Sequence, residues 1–259
     1  MTDWADLDRE LGAWDRAGSA TFWWRDDDAV TSTPALKRLV DLAAIGNPPA
    51  PLALAVIPAR AAAALAQALS ATDHVVALQH GYAHVNHAAP AGKKAEFGVG
   101  RDSSAAVQDL RAGSQRMRTL FGDRALPVLV PPWNRIEPPL IGRLGELGIR
   151  GLSTYGPRAA SEIGGVAVVN THVDIINWRE GRRFLGTEGC LQLAVNHLAA
   201  RREGRVDADE PTGLLTHHLI HDEDAWSFLR ALLQRTGRHP AVRWLDARPL
   251  FGCSLQGSA

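Results

Sequence analysis

Short apolar runs alternate with helical patterns along most of the chain. Each run has the length of a strand buried on both faces. The runs cover residues 21–24, 52–57, 75–78, 127–130, 149–153, 166–169, 213–216 and 242–245. The helical patterns cover residues 34–45, 59–71, 103–121, 138–147, 188–202 and 223–235. Such alternation is typical of parallel strands joined by crossover helices, and seven or eight strands favour a barrel over a doubly wound sheet.

The N-terminal segment has the pattern of an amphipathic helix. Within residues 3–17, Trp4, Leu7, Leu11 and Trp14 recur at three- and four-residue intervals, which places them on one face. We expect this helix, within residues 1–18, to pack outside the barrel. A chain of 259 residues with 46% hydrophobic residues can bury one large core or two small ones. No stretch reads as an interdomain linker, so we predict one barrel domain over residues 1–259.

Charge and hydropathy exclude several classes of partner. The 28 Lys and Arg residues balance the 28 Asp and Glu residues, so long-range attraction to nucleic acid or to a membrane surface is not expected. The first ten residues are acidic where a signal peptide is basic and then apolar. No run approaches the roughly 18 apolar residues of a membrane-spanning helix. These features predict a cytoplasmic protein, while its oligomeric state stays unknown.

Polar clusters follow several of the apolar runs. An aspartate triplet at residues 26–28 follows the first run, and a His-Gly-Tyr-Ala-His segment at 80–84 follows the third. Residues 131–135 follow the fourth run, and a histidine pair at 217–218 ends the seventh. In a parallel barrel these positions meet at the C-terminal rim, where active sites lie. Two imidazoles and a carboxylate make a metal site with one position open for water. The sequence therefore predicts metal-assisted hydrolysis.

Each cluster also has a plainer interpretation. Aspartates favour helix caps and solvated turns, and histidine pairs spaced by four residues often occur by chance. His218 and His221 fit a surface turn before the helix that begins near residue 223; we accept this for His221 and leave it open for His218. Asp174 fits a structural turn as well as a role in orienting a neighbouring imidazole or arginine. The shared position of the clusters favours the metal site.

In chain order, five segments resemble the motifs of the polysaccharide deacetylase superfamily, in the manner of carbohydrate esterase family four and the chitooligosaccharide deacetylase homology domain. They are residues 25–28, 80–84, 131–133, 174–178 and 215–217. The resemblance spans residues 21 to about 250 and implies an α/β fold, a deformed (β/α)7-type barrel of parallel strands. The first two motifs are fairly specific, and the other three gain weight from their order.

The resemblance also implies a division of roles among the polar residues. His80 and His84 correspond to the metal-binding histidines of the family, and His217 corresponds to its catalytic acid. The metal is a divalent cation: zinc is our first choice, and cobalt, nickel, iron or manganese are alternatives because an Asp-His-His set also suits them. Metal dependence and hydrolysis of an amide bond follow as expectations.

The aspartate triplet leaves the register of the first motif open. In the family, the first aspartate of this motif is the general base and the second binds the metal. One register makes Asp27 the base and Asp28 the ligand, and the other makes Asp26 the base and Asp27 the ligand. We prefer the first, which leaves Asp26 as a supporting residue beside the site.

Two motifs depart from the family pattern. The third motif normally begins with an arginine that orients the base, whereas this chain has Val130 there. Arg25 and Arg135 are the candidate substitutes. The fourth motif ends in Asn177 where the family has aspartate. Asp174 is the remaining carboxylate of this motif, and we expect it to orient a side chain of the site without contacting the metal.

The predicted substrate is a carbohydrate or a small N-acyl compound. Tyr82, Trp133 and Trp178 offer aromatic faces to a sugar ring, and Arg135 adds a polar contact. The resemblance implies a metal-dependent hydrolase that removes an N-acyl group, chiefly acetyl, from an amino sugar or an oligo- or polysaccharide. The alternatives are a hydrolase of a non-sugar small amide and a non-catalytic carbohydrate-binding relative.

Overall fold

The computed structural model describes residues 1–46 and 48–253. The longer strands lie where the sequence predicts them, and the shorter ones cluster between residues 151 and 184. The strands are β1 (Ala20–Ala29), β2 (Leu52–Val56), β3 (Val75–His80), β4 (Ala125–Val130), β5 (Gly151–Leu152), β6 (Glu162–Ile163), β7 (Val166–Val168), β8 (Val173–Asp174), β9 (Ile176–Asn177), β10 (Arg183–Phe184), β11 (Thr212–Thr216) and β12 (Val242–Trp244).

The helices connect successive strands, and side-chain caps begin several of them. Asp3, Thr33, Asp102 and Asp222 each accept a hydrogen bond from a backbone N–H of the first turn, as N-cap residues do. The helices are α1 (Trp4–Ala17), α2 (Pro34–Ala43), α3 (Ala63–Leu69), α4 (Ser103–Phe121), α5 (Pro138–Ile141), α6 (Thr187–Arg202), α7 (Glu223–Thr236) and α8 (Ala247–Leu250). The predicted helix at 138–147 is shorter than expected, with only a 3-10 turn at Gly145–Leu147 after α5.

The main sheet is almost entirely parallel. Its strands run in the order β6-β7-β5-β4-β3-β2-β1-β11-β8, and β12 also pairs with β1. Only β6 and β7 pair antiparallel within it. The bridge between Tyr155 and Thr171 continues the pairing of β5 with β7. A short segment then leads from β7, near one end of the sheet, to β8, at the other end, so the two ends approach each other. The predicted α/β fold with parallel strands is confirmed, although within the described residues the sheet does not close into a ring.

The two faces of β1 pack into different cores. Phe22 and Trp24 belong to the large cluster between the sheet and the outer helices, and Trp23 belongs to a smaller cluster on the inner face. This follows from the alternation of side chains along a strand. The indole nitrogens of Trp23 and Trp24 donate to the Asn170 carbonyl and the Thr216 hydroxyl respectively. Neither core tryptophan reaches the cleft described below.

Helix α1 packs on the outside of the sheet against α6. Leu7, Leu11 and Trp14 are buried, and the Arg202 guanidinium makes two bonds of 2.8 and 2.9 Å to the Glu10 carboxylate. In the described part of the chain, no helix combines the length and the apolar character needed to cross a membrane.

Candidate metal centre

The end of β1 directs two neighbouring carboxylates into one cleft. In a regular strand, adjacent side chains face opposite sides. Here Asp28 has a left-handed backbone with φ of 71°, and the pairing of β1 with β2 shifts between Asp26 and Ala29. Such an irregularity re-aims a side chain at a strand end. Asp27 and Asp28 therefore both line the same cleft, which has a volume of about 970 Å³.

Asp28, His80 and His84 bring one ligand atom each to a common point. The Oδ1 atom of Asp28 lies 3.2 Å from Nε2 of His80 and 3.4 Å from Nε2 of His84. In a tetrahedral zinc site with bonds of about 2.0–2.1 Å, neighbouring ligand atoms are roughly 3.4 Å apart. The spacing of these three side chains therefore fits a cation that all of them contact.

The hydrogen-bonding state of these groups also fits a cation. Nδ1 of His80 lies 3.0 Å from the Val130 carbonyl and donates to it, so Nε2 can offer its lone pair to the cleft. Oδ1 of Asp28 is buried and has no aligned donor among the described residues. Burial raises the pKa of Asp28, but contact with His80 and the positive charges of the histidines outweigh it, and the pKa falls well below its usual range. The site thus favours positive charge.

A buried glutamate fixes the turn that presents the two histidines. Glu96 accepts hydrogen bonds from the backbone N–H groups of Tyr82 and Ala83, at 3.1 and 2.8 Å. Gly81 has φ of 60°, and a Cβ there would lie 1.9 Å from the Glu96 carboxylate, so this turn requires glycine. Tyr82, predicted to stack on substrate, is not among the residues that line the cleft. The structure gives its backbone, held by Glu96, a part in the turn instead.

Arg25 holds the Asp27 carboxylate from two residues away on the same strand. Its Nε and Nη2 atoms donate to the two carboxylate oxygens at 2.9 and 3.1 Å, in the fork geometry typical of arginine. The guanidinium is fully buried and also donates to Ser153 and Asn134. Of the two candidate substitutes for the missing arginine, Arg25 contacts Asp27, whereas Arg135 lines the cleft and donates to a backbone carbonyl.

Asp26 faces away from the cleft. One of its oxygens accepts from the Thr216 hydroxyl and from the backbone N–H of His218, and the other lies 2.5 Å from Nδ1 of His218. Burial raises the pKa of Asp26, but the charge and hydrogen bond of His218, the charge of His221 and the hydrogen bond of Thr216 together outweigh burial, so the pKa falls below its usual value. The register with Asp26 as base has no support in this geometry, because both oxygens are engaged. His218 is buried, so the surface-turn interpretation does not hold for it.

The loop that follows β11 places His217 at the cleft. The backbone N–H of His217 donates to Nε2 of His221 at 3.3 Å. Burial lowers the pKa of His221 to about 4, so this imidazole is neutral and free to accept. The ring of His217 meets the edge of Trp178 at a centroid distance of 4.6 Å. His221 therefore has a supporting role for His217 that a surface turn does not explain.

Asp174 and Trp178 form the wall beside His217. Asp174 accepts from the indole N–H of Trp178 at 2.7 Å and from the Ile176 backbone at 3.0 Å. Burial raises the pKa of Asp174, while the positive charge of His217 opposes that rise. Trp133 forms the wall beside His80 and His84, with its ring centroid 4.4 Å from that of His84.

A second cluster of potential ligands does not fit a cation. His172, His197 and Glu210 are buried and lie close together. Nδ1 of His172 accepts from the Gly213 backbone N–H at 3.0 Å, so the neutral ring carries its hydrogen on Nε2, which faces Glu210 at 3.3 Å. A protonated nitrogen cannot ligate a metal. His172 therefore has no nitrogen lone pair free for a cation.

Several residues at the cleft have no signal in the sequence. Glu96 accepts two hydrogen bonds from the turn, and Asn134 and Ser153 each accept one from Arg25. Lys94, Arg179 and Arg182 lie on loops and line the cleft. Asn134 falls inside the predicted segment 131–135, but nothing in its spacing indicates a partner.

Comparison with known proteins identifies the fold. No family model matches the sequence, and no curated protein is significantly similar to it. Among solved structures, a protein from Mycobacterium smegmatis assigned to the polysaccharide deacetylases is 16% identical with a TM-score of 0.66, over 91% of this chain and 90% of that one. The Bc1960 peptidoglycan N-acetylglucosamine deacetylase is 11% identical with a TM-score of 0.57, over 98% and 99%. PuuE allantoinase is 14% identical with a TM-score of 0.59, over 91% and 90%. The chain has the fold that these hydrolases share.

Proposed function

We propose that this chain is a metal-dependent hydrolase that removes an N-acyl group, chiefly acetyl, from an amino sugar or an oligo- or polysaccharide. The observation that carries the proposal is the Asp28 oxygen held between the Nε2 atoms of His80 and His84. A second carboxylate and a third imidazole, those of Asp27 and His217, line the same cleft. The fold shared with a peptidoglycan deacetylase supports the reaction type.

Asp28, His80 and His84 would hold the divalent cation. Zinc is the first choice for two imidazoles and a carboxylate, with cobalt, nickel, iron and manganese as alternatives. Such an ion, when bound, lowers the pKa of a bound water and polarises a carbonyl oxygen.

Asp27 is the proposed general base. Its carboxylate lines the cleft beside Asp28, and the two bonds from Arg25 fix its orientation. In this role it accepts the proton of the water that attacks the acyl carbon. Fixed orientation matters because a base acts only within hydrogen-bond reach of the proton it removes.

His217 is the proposed general acid. Trp178 packs against its ring, and Asp174 holds the indole of Trp178. In this role, His217 protonates the amine as the C–N bond breaks. A positioned acid or base of this kind typically contributes about 10²- to 10⁴-fold to the rate.

The test combines metal content with acetate release. Wild-type protein, Asp28→Ala, His80→Ala and Asp27→Asn are assayed on acetylated chito-oligosaccharides, and bound metal is measured by elemental analysis. Asp28→Ala and His80→Ala are expected to lose both metal and activity, and Asp27→Asn to lose activity alone. His87→Ala is the matched control, because His87 is an exposed histidine of the same loop. Unchanged metal content in Asp28→Ala and His80→Ala would overturn the proposal.

A non-sugar small amide is the second candidate substrate. PuuE allantoinase has the same fold, so the architecture also suits a substrate of this kind. Assays of small N-acyl compounds beside the oligosaccharides distinguish the two. A non-catalytic role is disfavoured by the presence of both Asp27 and His217 at the cleft.

A further inference from the structure

We infer that the substrate of this cleft carries an anionic group, a phosphate or a carboxylate, bound by a rim of four cationic side chains. The inference rests on the proposed function, since it concerns the same cleft. The cationic rim consists of Lys94, Arg135, Arg179 and Arg182, all of which line the cleft together with Asp28.

The rim is assembled from three separate parts of the chain. Lys94 lies between β3 and α4, Arg135 follows β4, and Arg179 and Arg182 lie in the turn of the β9–β10 hairpin. The fold therefore gathers these charges, and they are not one basic run of sequence. The whole chain has equal numbers of basic and acidic residues. The cleft is lined by four cationic side chains and three carboxylates, and one of these carboxylates, Asp27, is already paired with Arg25, so the cations are in local excess.

The rim has no counter-charge among the residues that the structure describes. Across residues 1–46 and 48–253, no carboxylate lies within 4.0 Å of any of its four cationic groups. The acids of the cleft are already engaged, because Asp27 binds Arg25, Asp28 contacts the histidines and Asp174 binds Trp178. Arg183, on the same hairpin, instead lies 3.9 Å from Glu180, although the cleft does not include it.

Backbone contacts hold parts of the rim in place. Nη1 of Arg135 donates to the Lys94 carbonyl at 2.8 Å, which keeps these two residues side by side. In the hairpin, the Asn177 side chain accepts from the backbone N–H of Arg179 at 3.2 Å. Gly181 and Arg182 both have left-handed backbones, with φ of 83° and 53°, and together they make a tight turn.

The chemistry of these side chains selects an oxyanion. Guanidinium groups bind phosphate and carboxylate through paired hydrogen bonds, and cationic side chains without a carboxylate partner attract anionic ligands. A neutral sugar gains nothing from this charge. The alternative is that the exposed side chains are simply hydrated, and it predicts equal binding of neutral and anionic ligands.

The test measures binding of product analogues, which requires no turnover. Calorimetry on the metal-loaded protein compares glucosamine, glucosamine 6-phosphate and muramic acid, which share the same amine and differ in charged substituent. At low salt, at least one of the two anionic sugars is expected to bind about tenfold more tightly than glucosamine, and the difference should shrink as salt screens it. Whether glucosamine 6-phosphate or muramic acid binds more tightly identifies the anion.

Variants assign the effect to the rim. Arg179→Gln combined with Arg182→Gln is expected to remove the preference, whereas Arg183→Gln, on the same hairpin, should leave it unchanged. Equal or undetectable binding of all three sugars would overturn the inference. Anion preference without acetate release from any N-acetyl compound would contradict only the proposed function, and acetate release without anion preference would contradict only the rim.

Discussion

Arg25 and Asp27 lie on the same strand and form an ion pair through two hydrogen bonds, of 2.9 and 3.1 Å. Residues two apart on a strand project from the same face, so the strand that carries the proposed base also carries the group that orients it. Asn134, Ser153 and the Thr154 carbonyl accept from the remaining donors of the guanidinium. The orientation of Asp27 therefore depends on one fully buried side chain.

Replacement of that arginine tests its part in catalysis. Arg25→Lys keeps the charge but loses the fork that bonds both oxygens. We expect acetate release to fall by about 10²-fold, the lower range for a positioned base, with metal content close to wild type. Arg235→Lys, at an exposed pair with Asp8, is the control. Activity within about twofold of wild type in Arg25→Lys would show that Asp27 needs no such support.

Gly81 tests the turn that carries the histidines. Gly81→Ala introduces a left-handed alanine, costing about 1–2 kcal/mol, and a Cβ that meets Glu96 at 1.9 Å. We expect the free energy of unfolding, from urea titration, to fall by more than about 2 kcal/mol, and metal content to fall with it. At Gly100, φ is +87° with nothing within 4 Å of an added Cβ. Gly100→Ala should therefore show the backbone cost alone, and an equal loss in both variants would argue against the clash.

Metal binding is expected to stabilise the fold at a stoichiometry of one per chain. A ligand that binds only the folded state stabilises it by about 2.7 kcal/mol at 100 times its Kd, which raises the Tm. Asp28→Asn should abolish this rise. His197→Gln should not alter the stoichiometry. In the cluster of His172, His197 and Glu210, Nδ1 of His172 accepts from a backbone N–H and Nε2 faces Glu210, so His172 has no lone pair free for a metal. A second equivalent lost in His197→Gln would contradict that assignment.

The buried imidazole of His197 should lower the free energy of unfolding in acid. Burial, aided by His172 and Arg201, lowers the pKa of His197 from 6.5 to about 2. Between these values the unfolded chain binds a proton that the folded chain does not, so stability falls as pH decreases, by up to about 1.4 kcal/mol per pH unit. His197→Gln should flatten the dependence of the unfolding free energy on pH between about pH 6 and 4. The exposed His87→Gln should leave the slope unchanged, and an unchanged slope in His197→Gln would refute the prediction.

Much of the fold follows from the sequence pattern. Runs such as 52–57 and 75–78 are apolar because parallel strands are covered on both faces, and their positions match β2 and β3. The hairpin of β9 and β10 has strands of two residues, too short for any period to be read. Its position beside the cleft depends on tertiary contacts such as that between Trp178 and His217.

The sequence predicts which residues form the site better than it predicts how they are arranged. The histidines at 80 and 84 and the triplet at 26–28 stand out because several ligand types follow buried strands. The left-handed backbone of Asp28 and the engagement of Asp26 with His218 arise from pairing with neighbouring strands, which no local pattern encodes. The sequence does not indicate that Lys94, Arg179 and Arg182 line the cleft, because the position of an exposed loop side chain is set only when the loop folds.

The irregular end of β1 gives the three consecutive aspartates three different destinations. One is committed to the loop after β11, one to the arginine on its own strand, and one to the proposed cation. The run is therefore not redundant, and no member can replace another. Because side chains alternate between the two faces of a strand, deleting a single aspartate would shift the residues on one side of the deletion by one position, so the length of the triplet acts as a spacer as well as a supply of charge.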